Sequence, residues 1–161
     1  MIRAEYPSPV GVLTLVADEI WLMGLYFEQH KGAGPPSEAS AGASNVLDAA
    51  ARQLDAYFAG RARAFDLTLA PRGTPFQHRV WRALQRIAYA ETRSYGAIAE
   101  EVGAPAAVRA VAAAIGRNPV SILIPCHRVV GKSGALTGYA GGLARKAFLL
   151  GLESDRGLMR A

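Results

Sequence analysis

Cysteine is nearly absent from this chain, with one residue, Cys126, among 161. A lone cysteine closes no internal disulfide, so it is either a buried inert thiol or a nucleophile. The three histidines, His30, His78 and His127, are scattered and add too few ligands for a zinc site. Neither a metal nor a cofactor is therefore expected. Long apolar runs are also missing. Half of the residues are hydrophobic, enough for a real core, yet no stretch reaches the roughly 18–20 residues of a membrane span. Met1 to Tyr6 lack the apolar run of a secretion signal. The expectation is a soluble cytoplasmic protein with no membrane partner, in a compartment that keeps a thiol reduced.

Acidic residues are scarce in one half only. Residues 1–70 hold five Lys/Arg against eight Asp/Glu, whereas residues 71–161 hold thirteen against five. A basic half beside an acidic half fits a surface for a polyanion such as nucleic acid. A generally arginine-rich composition with no such partner is the alternative.

What is present reads as two parts. Residues 2–7 and 11–17 form strands joined at Ser8-Pro9, and residues 20–27 form a third. Residues 31–44, dominated by Gly, Ala, Pro and Ser, read as a flexible loop. Residues 45–58 carry Val46, Leu47, Ala50, Leu54, Tyr57 and Phe58 at helical spacing, and residues 65–69 alternate as a strand. Pro71-Arg72-Gly73 marks a boundary between units 1–72 and 73–161. Thr74 caps a helix that starts with Pro75 and runs to about residue 87. Two short helices, 94–102 and 105–115, flank Gly103 in a helix-turn-helix pattern, and the second is nearly all alanine and valine apart from Arg109. Residues 120–124 read as a buried strand leading into Cys126. A loop with five glycines follows, then a helix over 143–152 and a loose basic tail.

The chemistry centres on Pro125-Cys126-His127-Arg128. A free thiol has a pKa of about 8.5, so a nucleophilic cysteine needs a base, and the base needs an orienting group. His127 is the candidate base. Neighbours on a strand point apart, so the pair cooperates only across a bend or through a water, and Pro125 gives a reason for a bend. Glu153 is the candidate orienter. Asn118 can brace the nearby backbone or the thiol. His30 and His78 fit structural or surface roles.

The stretch 124–130, Ile-Pro-Cys-His-Arg-Val-Val, resembles the active-site motif of the methylated-DNA–protein-cysteine methyltransferases, which remove alkyl groups from O6 of guanine. Phe76 to Trp81, Ser94-Tyr95-Gly96, Arg109-Ala110-Val111, Arg117-Asn118-Pro119 and Gly138 to Leu143 match in the family's order. The resemblance implies an α/β fold: a ribonuclease-H-like sheet-and-helix unit, then a mostly helical unit with a winged-helix-like helix-turn-helix. It implies double-stranded DNA bearing O6-alkylguanine as the partner, entered from the minor groove, with O4-alkylthymine as a second substrate. Minor-groove approach also suits a helix of alanines. The base is flipped into a pocket. By resemblance Arg109 fills the gap in the stack, Tyr95 rotates the phosphate and bonds the base, and Arg128 contacts DNA. Val129, Tyr139 and Ala140 line the pocket, and relatives often carry serine at position 140. Cys126 then takes the alkyl group, with His127, Glu153 and Asn118 assisting. The thioether cannot be reversed, so each molecule acts once. The resemblance implies a monomer and leaves cooperative binding along DNA open. Some relatives hold a structural zinc, which a single cysteine cannot reproduce. Two other readings remain: an alkyltransferase-like lesion sensor, argued against by the presence of Cys126, and a cysteine hydrolase.

Overall fold

The computed structural model describes residues 1–30, 32 and 34–154. The expected basic tail lies outside them. Strands β1 (Ile2–Ser8), β2 (Gly11–Ala17) and β3 (Leu22–Tyr26) form an antiparallel meander, and β4 (Ser40–Ala41) adds to β1 in parallel, giving the order β3-β2-β1-β4. Alternation along β2 sends Leu13, Leu15 and Ala17 into the core against α1 (Asn45–Phe58). Helix α1 begins where the Ser44 hydroxyl accepts from the Leu47 N–H, and buries Leu47, Ala50, Leu54 and Tyr57.

Helix α2 (Pro75–Gln85) has a full capping box. The Thr74 hydroxyl accepts from the Gln77 N–H at 3.1 Å, and the Gln77 side chain accepts from the Thr74 N–H at 2.9 Å. Such a cap contributes about 1 kcal/mol. Trp81 on α2 donates to the Ala114 carbonyl at 2.9 Å and so pins α4 (Val108–Gly116). Between them, β5 (Arg93–Ser94) leads into α3 (Tyr95–Glu101), capped by the Ser94 hydroxyl, and Gly103 turns the chain at φ +77°. Pairs α3 and α4 are the expected helix-turn-helix. The second half closes with a 3-10 turn (Cys126–Arg128), β6 (Val129–Val130) parallel to β5, and α5 (Leu143–Glu153). One apolar core runs through both halves, from Leu15 and Leu25 to Val80, Val111 and Ile124.

Four expectations are corrected. The segment 31–44 is not all loop: Ala39 is buried, and the Ser40 and Gly42 N–H groups donate to the Met1 and Arg3 carbonyls. Residues 65–69 make no strand and meet β3 only through a bridge between Leu69 and Leu22, held by the Thr68 carbonyl. Helix α4 starts at Val108, because residues 105–106 form a turn and Ala107 offers no capping oxygen. Residues 120–124 are buried but not a strand. Ile122 sits at φ +72°, in the left-handed region that β-branched residues avoid, and this bends the chain into successive turns toward Cys126.

Candidate active site

Cys126 is the first residue of the 3-10 turn and is buried. The turn supplies the bend that the sequence required between thiol and imidazole. Asn118 does both jobs open to it. Its amide donates to Cys126 Sγ at 3.2 Å and to the Ile124 carbonyl at 2.8 Å, while its oxygen accepts from the Val120 N–H at 2.9 Å. The thiol is therefore fixed by a side chain that also fixes the turn.

Behind the thiol lies a buried polar network. His127 Nε2 meets Glu153 Oε2 at 2.7 Å, with both side chains fully buried. Arg128 donates to the same carboxylate through Nε at 2.7 Å and Nη2 at 3.0 Å, and its Nη1 donates to the Ile87 carbonyl at 2.7 Å. The Tyr57 hydroxyl adds a bond to Glu153 Oε2 at 2.5 Å. Burial alone would raise the Glu153 pKa, but the bonds and charges of His127 and Arg128 win and hold it at about 2. Burial lowers the His127 pKa against the pull of Glu153. Burial also raises the Cys126 pKa, opposed by the Asn118 bond and the Lys146 charge. The resting site is a neutral thiol, a neutral imidazole and an ionised carboxylate.

With Glu153 accepting at Nε2, the bare acceptor of His127 is Nδ1, which is buried and has no protein partner. That nitrogen is the one left on the ring to act as a base.

In front of the thiol a cavity of about 1250 Å³ joins Cys126 to Tyr95, Arg109, Tyr139 and Ala140, so five of the expected residues share one space. The Tyr139 ring lies edge-on to Phe27 with its hydroxyl buried beside the thiol, and the Tyr95 hydroxyl reaches the Gly138 carbonyl at 3.4 Å. Arg109 is exposed in the first turn of α4, followed on the same outer face by Ala110, Ala113, Gly116 and Arg117, small apart from the two arginines.

Two expected residues lie elsewhere. Arg128, expected at the DNA, does not line the cavity, and its guanidinium is bonded inside the protein to Glu153 and the Ile87 carbonyl. Val129 does not line the cavity, because its backbone pairs with Arg93 and its side chain is wholly buried.

Sequence reasoning also missed three groups. Lys146 is fully buried, donates to the Thr137 carbonyl at 2.8 Å and lies 5.9 Å from the Tyr95 ring centre. A signal existed: Lys146, Leu149 and Glu153 share one face of α5 at three- and four-residue spacing. Tyr57 gave none, because its partner is 96 residues away. His30 was expected to be structural, and it does stack on Phe27, yet it also lines the cavity. Among the described residues no cluster of His, Cys, Asp and Glu could hold a metal ion, and no helix is long and apolar enough to cross a membrane.

Comparison with known proteins converges on one family. Residues 1–71 match the family model for the ribonuclease-like domain of 6-O-methylguanine DNA methyltransferase, and residues 75–155 match that for its DNA binding domain. A methylated-DNA–protein-cysteine methyltransferase of Methanosarcina acetivorans is 48% identical over 96% of this chain and 99% of its own length. The protein of the same name from Mycolicibacterium paratuberculosis is 52% identical over 91% and 88%. The crystal structure of Mycobacterium tuberculosis OGT in complex with DNA superposes with a TM-score of 0.90 at 46% identity, covering 97% of this chain and 94% of that one.

Proposed function

The chain belongs to the 6-O-methylguanine DNA methyltransferase family, and from that premise we propose that it repairs alkylated DNA directly by moving the alkyl group from O6 of guanine, or O4 of thymine, onto Cys126. The observation that carries this reading is one cavity. It puts a buried thiol, braced by Asn118 and backed by His127 and Glu153, in the same space as Arg109 of the helix-turn-helix.

The target carbon cannot reach a buried thiol from inside a duplex, so the base leaves the stack. Helix α4 lies against the minor groove, where its alanines allow close approach, and Arg109 occupies the gap left behind. Exposed arginines of the 73–161 unit contact phosphates and supply affinity without sequence preference. Residues 1–72 support that unit. Tyr95 and the backbone at Tyr139 and Ala140 border the flipped base. The N–H of residue 140 is present whichever side chain stands there, so alanine keeps that donor and loses only what a serine hydroxyl would add.

Cys126 then gives its proton through water to His127 Nδ1, and Glu153 stabilises the imidazolium. The sulfur forms a bond to the alkyl carbon as the C–O6 bond breaks, and the electron pair goes to the guanine oxygen and ring. Donors fixed at that oxygen lower the barrier. A thioether is a poor leaving group, so the protein is consumed. We place it in the cytoplasm as a monomer.

Intact-mass spectrometry after incubation with O6-methylguanine duplex tests this. One added methyl per molecule is expected, absent in Cys126→Ser. Binding without mass change would make it a lesion sensor, and repeated turnover would make it a hydrolase.

A further inference from the structure

Arg145 carries out none of the chemistry above, yet its guanidinium is among the most heavily committed groups in the protein. It sits in the first turn of α5 and reaches across to the N-terminal sheet. Its Nε donates to the Val10 carbonyl at 2.8 Å, and its Nη1 donates to the Glu28 carbonyl at 2.9 Å and to the Gly141 carbonyl at 3.3 Å. Nη2 lies 3.9 Å from Glu28 Oε1, and the guanidinium carbon stands 5.4 Å from the centre of the Phe27 ring. One planar cation therefore joins the β1–β2 turn, the end of β3 and the loop that walls the cavity.

The backbone makes room for this cation on both sides. A Cβ on Gly11, at φ +101°, would come within 3.1 Å of Nη2 and 2.6 Å of Glu28 Oε1. A Cβ on Gly141 would meet the Phe27 ring at 2.7 Å. Phe27 in turn packs edge-on against Tyr139, whose hydroxyl is buried beside Cys126. The next residue, Lys146, holds the same loop from its other side through the Thr137 carbonyl. Five donors in a fixed fork suit this arrangement, whereas an ammonium would hold one carbonyl well.

We infer that Arg145 is a positioning residue for alkyl transfer: it locks the 138–142 loop, and with it Tyr139 and the backbone of Ala140, against the N-terminal sheet. The inference rests on the proposed alkyl transfer to Cys126. Loosening the clamp displaces the oxygen-binding wall of the site while leaving α4 and its DNA-facing side in place. Geometry at the reacting centre is steep in its effect, so a small displacement costs rate rather than affinity.

The test separates the two. Single-turnover transfer from saturating O6-methylguanine duplex, and affinity for the same duplex without the lesion, are measured for wild type, Arg145→Ala and Arg145→Lys. Arg145→Ala should lose about ten- to a hundredfold in maximal rate. Its DNA affinity should stay within about twofold, the signature of an interaction felt in the transition state. Arg145→Lys should fall between. Tyr6→Phe, which removes a bond to Asp55 far from the loop, serves as a control for plain destabilisation.

An unchanged rate in Arg145→Ala overturns the inference. So does a fall that Tyr6→Phe reproduces at equal loss of melting temperature, or a loss confined to affinity. If Arg145→Ala does not fold, the lysine variant decides, and a wild-type rate there overturns the clamp. Failure of wild type itself to take up a methyl group would instead sink the alkyl-transfer reading.

Discussion

The two sides of Cys126 are built on opposite rules. Behind it, every polar atom of Glu153, and the Arg128 guanidinium, has a partner within 3.0 Å. In front, the Tyr139 hydroxyl and His30 Nδ1 belong to residues that line the cavity, and both are buried with no hydrogen-bond partner of good geometry. A buried unpaired polar group ordinarily costs about 1–3 kcal/mol, so the front is the less satisfied of the two sides. The rear network keeps the imidazole and turn in place, and the front leaves polar groups open to the cavity. The difference says which substitutions should unfold the protein and which should only silence it.

The sharpest way to break the contrast is at Glu153. Glu153→Ala strands a buried guanidinium and frees the imidazole, a change that typically costs about 3–5 kcal/mol. Thermal melting should show a large loss, with transfer abolished in whatever folds. The same carboxylate sets an acid limit. Its pKa is held at about 2 against an ordinary value of 4.5, so the folded state binds its proton less readily than the unfolded chain does. The resulting stability is complete above the ordinary value and is lost as pH falls from about 4.5 toward 2. The whole step is on the order of 3 kcal/mol. Urea titrations at stepped pH should show that loss in wild type, and Glu153→Gln should flatten it. An equally steep acid limb in Glu153→Gln would place the sensitivity elsewhere.

Asn118 sits on the border between the two sides and should show both effects at middle size. Asn118→Ala removes the bond to Sγ and leaves the Val120 N–H and Ile124 carbonyl buried and unpaired. About 1–3 kcal/mol of stability should go. Because the amide bond favours the thiolate, its loss should also move the pH dependence of transfer to higher pH. A stability loss with an unmoved pH profile would confine Asn118 to bracing the turn.

This division was only half visible in the order of residues. The meeting of Cys126, His127, Asn118 and Glu153 was legible because a motif and the end of the last helix carry them, α1 because its apolar period shows, and α2 because Thr74 and Pro75 mark its start. The inward bonds of Arg128 were not legible for a physical reason: a basic residue beside a nucleophile gives no local sign of the buried carboxylate it pairs with 25 residues away. Residues 120–124 have the composition of a strand, and nothing local announces that Ile122 turns left-handed. Tyr57 joins Glu153, and Arg145 joins Val10, over separations that no window along the chain spans. The front of the site was better read than the rear, since a pocket can be inferred from a resemblance whereas a packed network has to be seen.

The smallest effect on stability, and the cleanest separation of the two sides, is expected at Arg109. Its side chain is exposed on α4, with no hydrogen bond or ion pair within the protein among the described residues, so Arg109→Ala should shift stability by no more than about 0.5 kcal/mol. The rear network and the thiol are untouched, so reaction with free O6-benzylguanine should keep its wild-type rate. Repair of duplex DNA needs the base held out of the stack, and that rate should fall. If both reactions fell together, Arg109 would be acting on the chemistry itself, and the boundary between a structural rear and a DNA-facing front would have to be redrawn through α4.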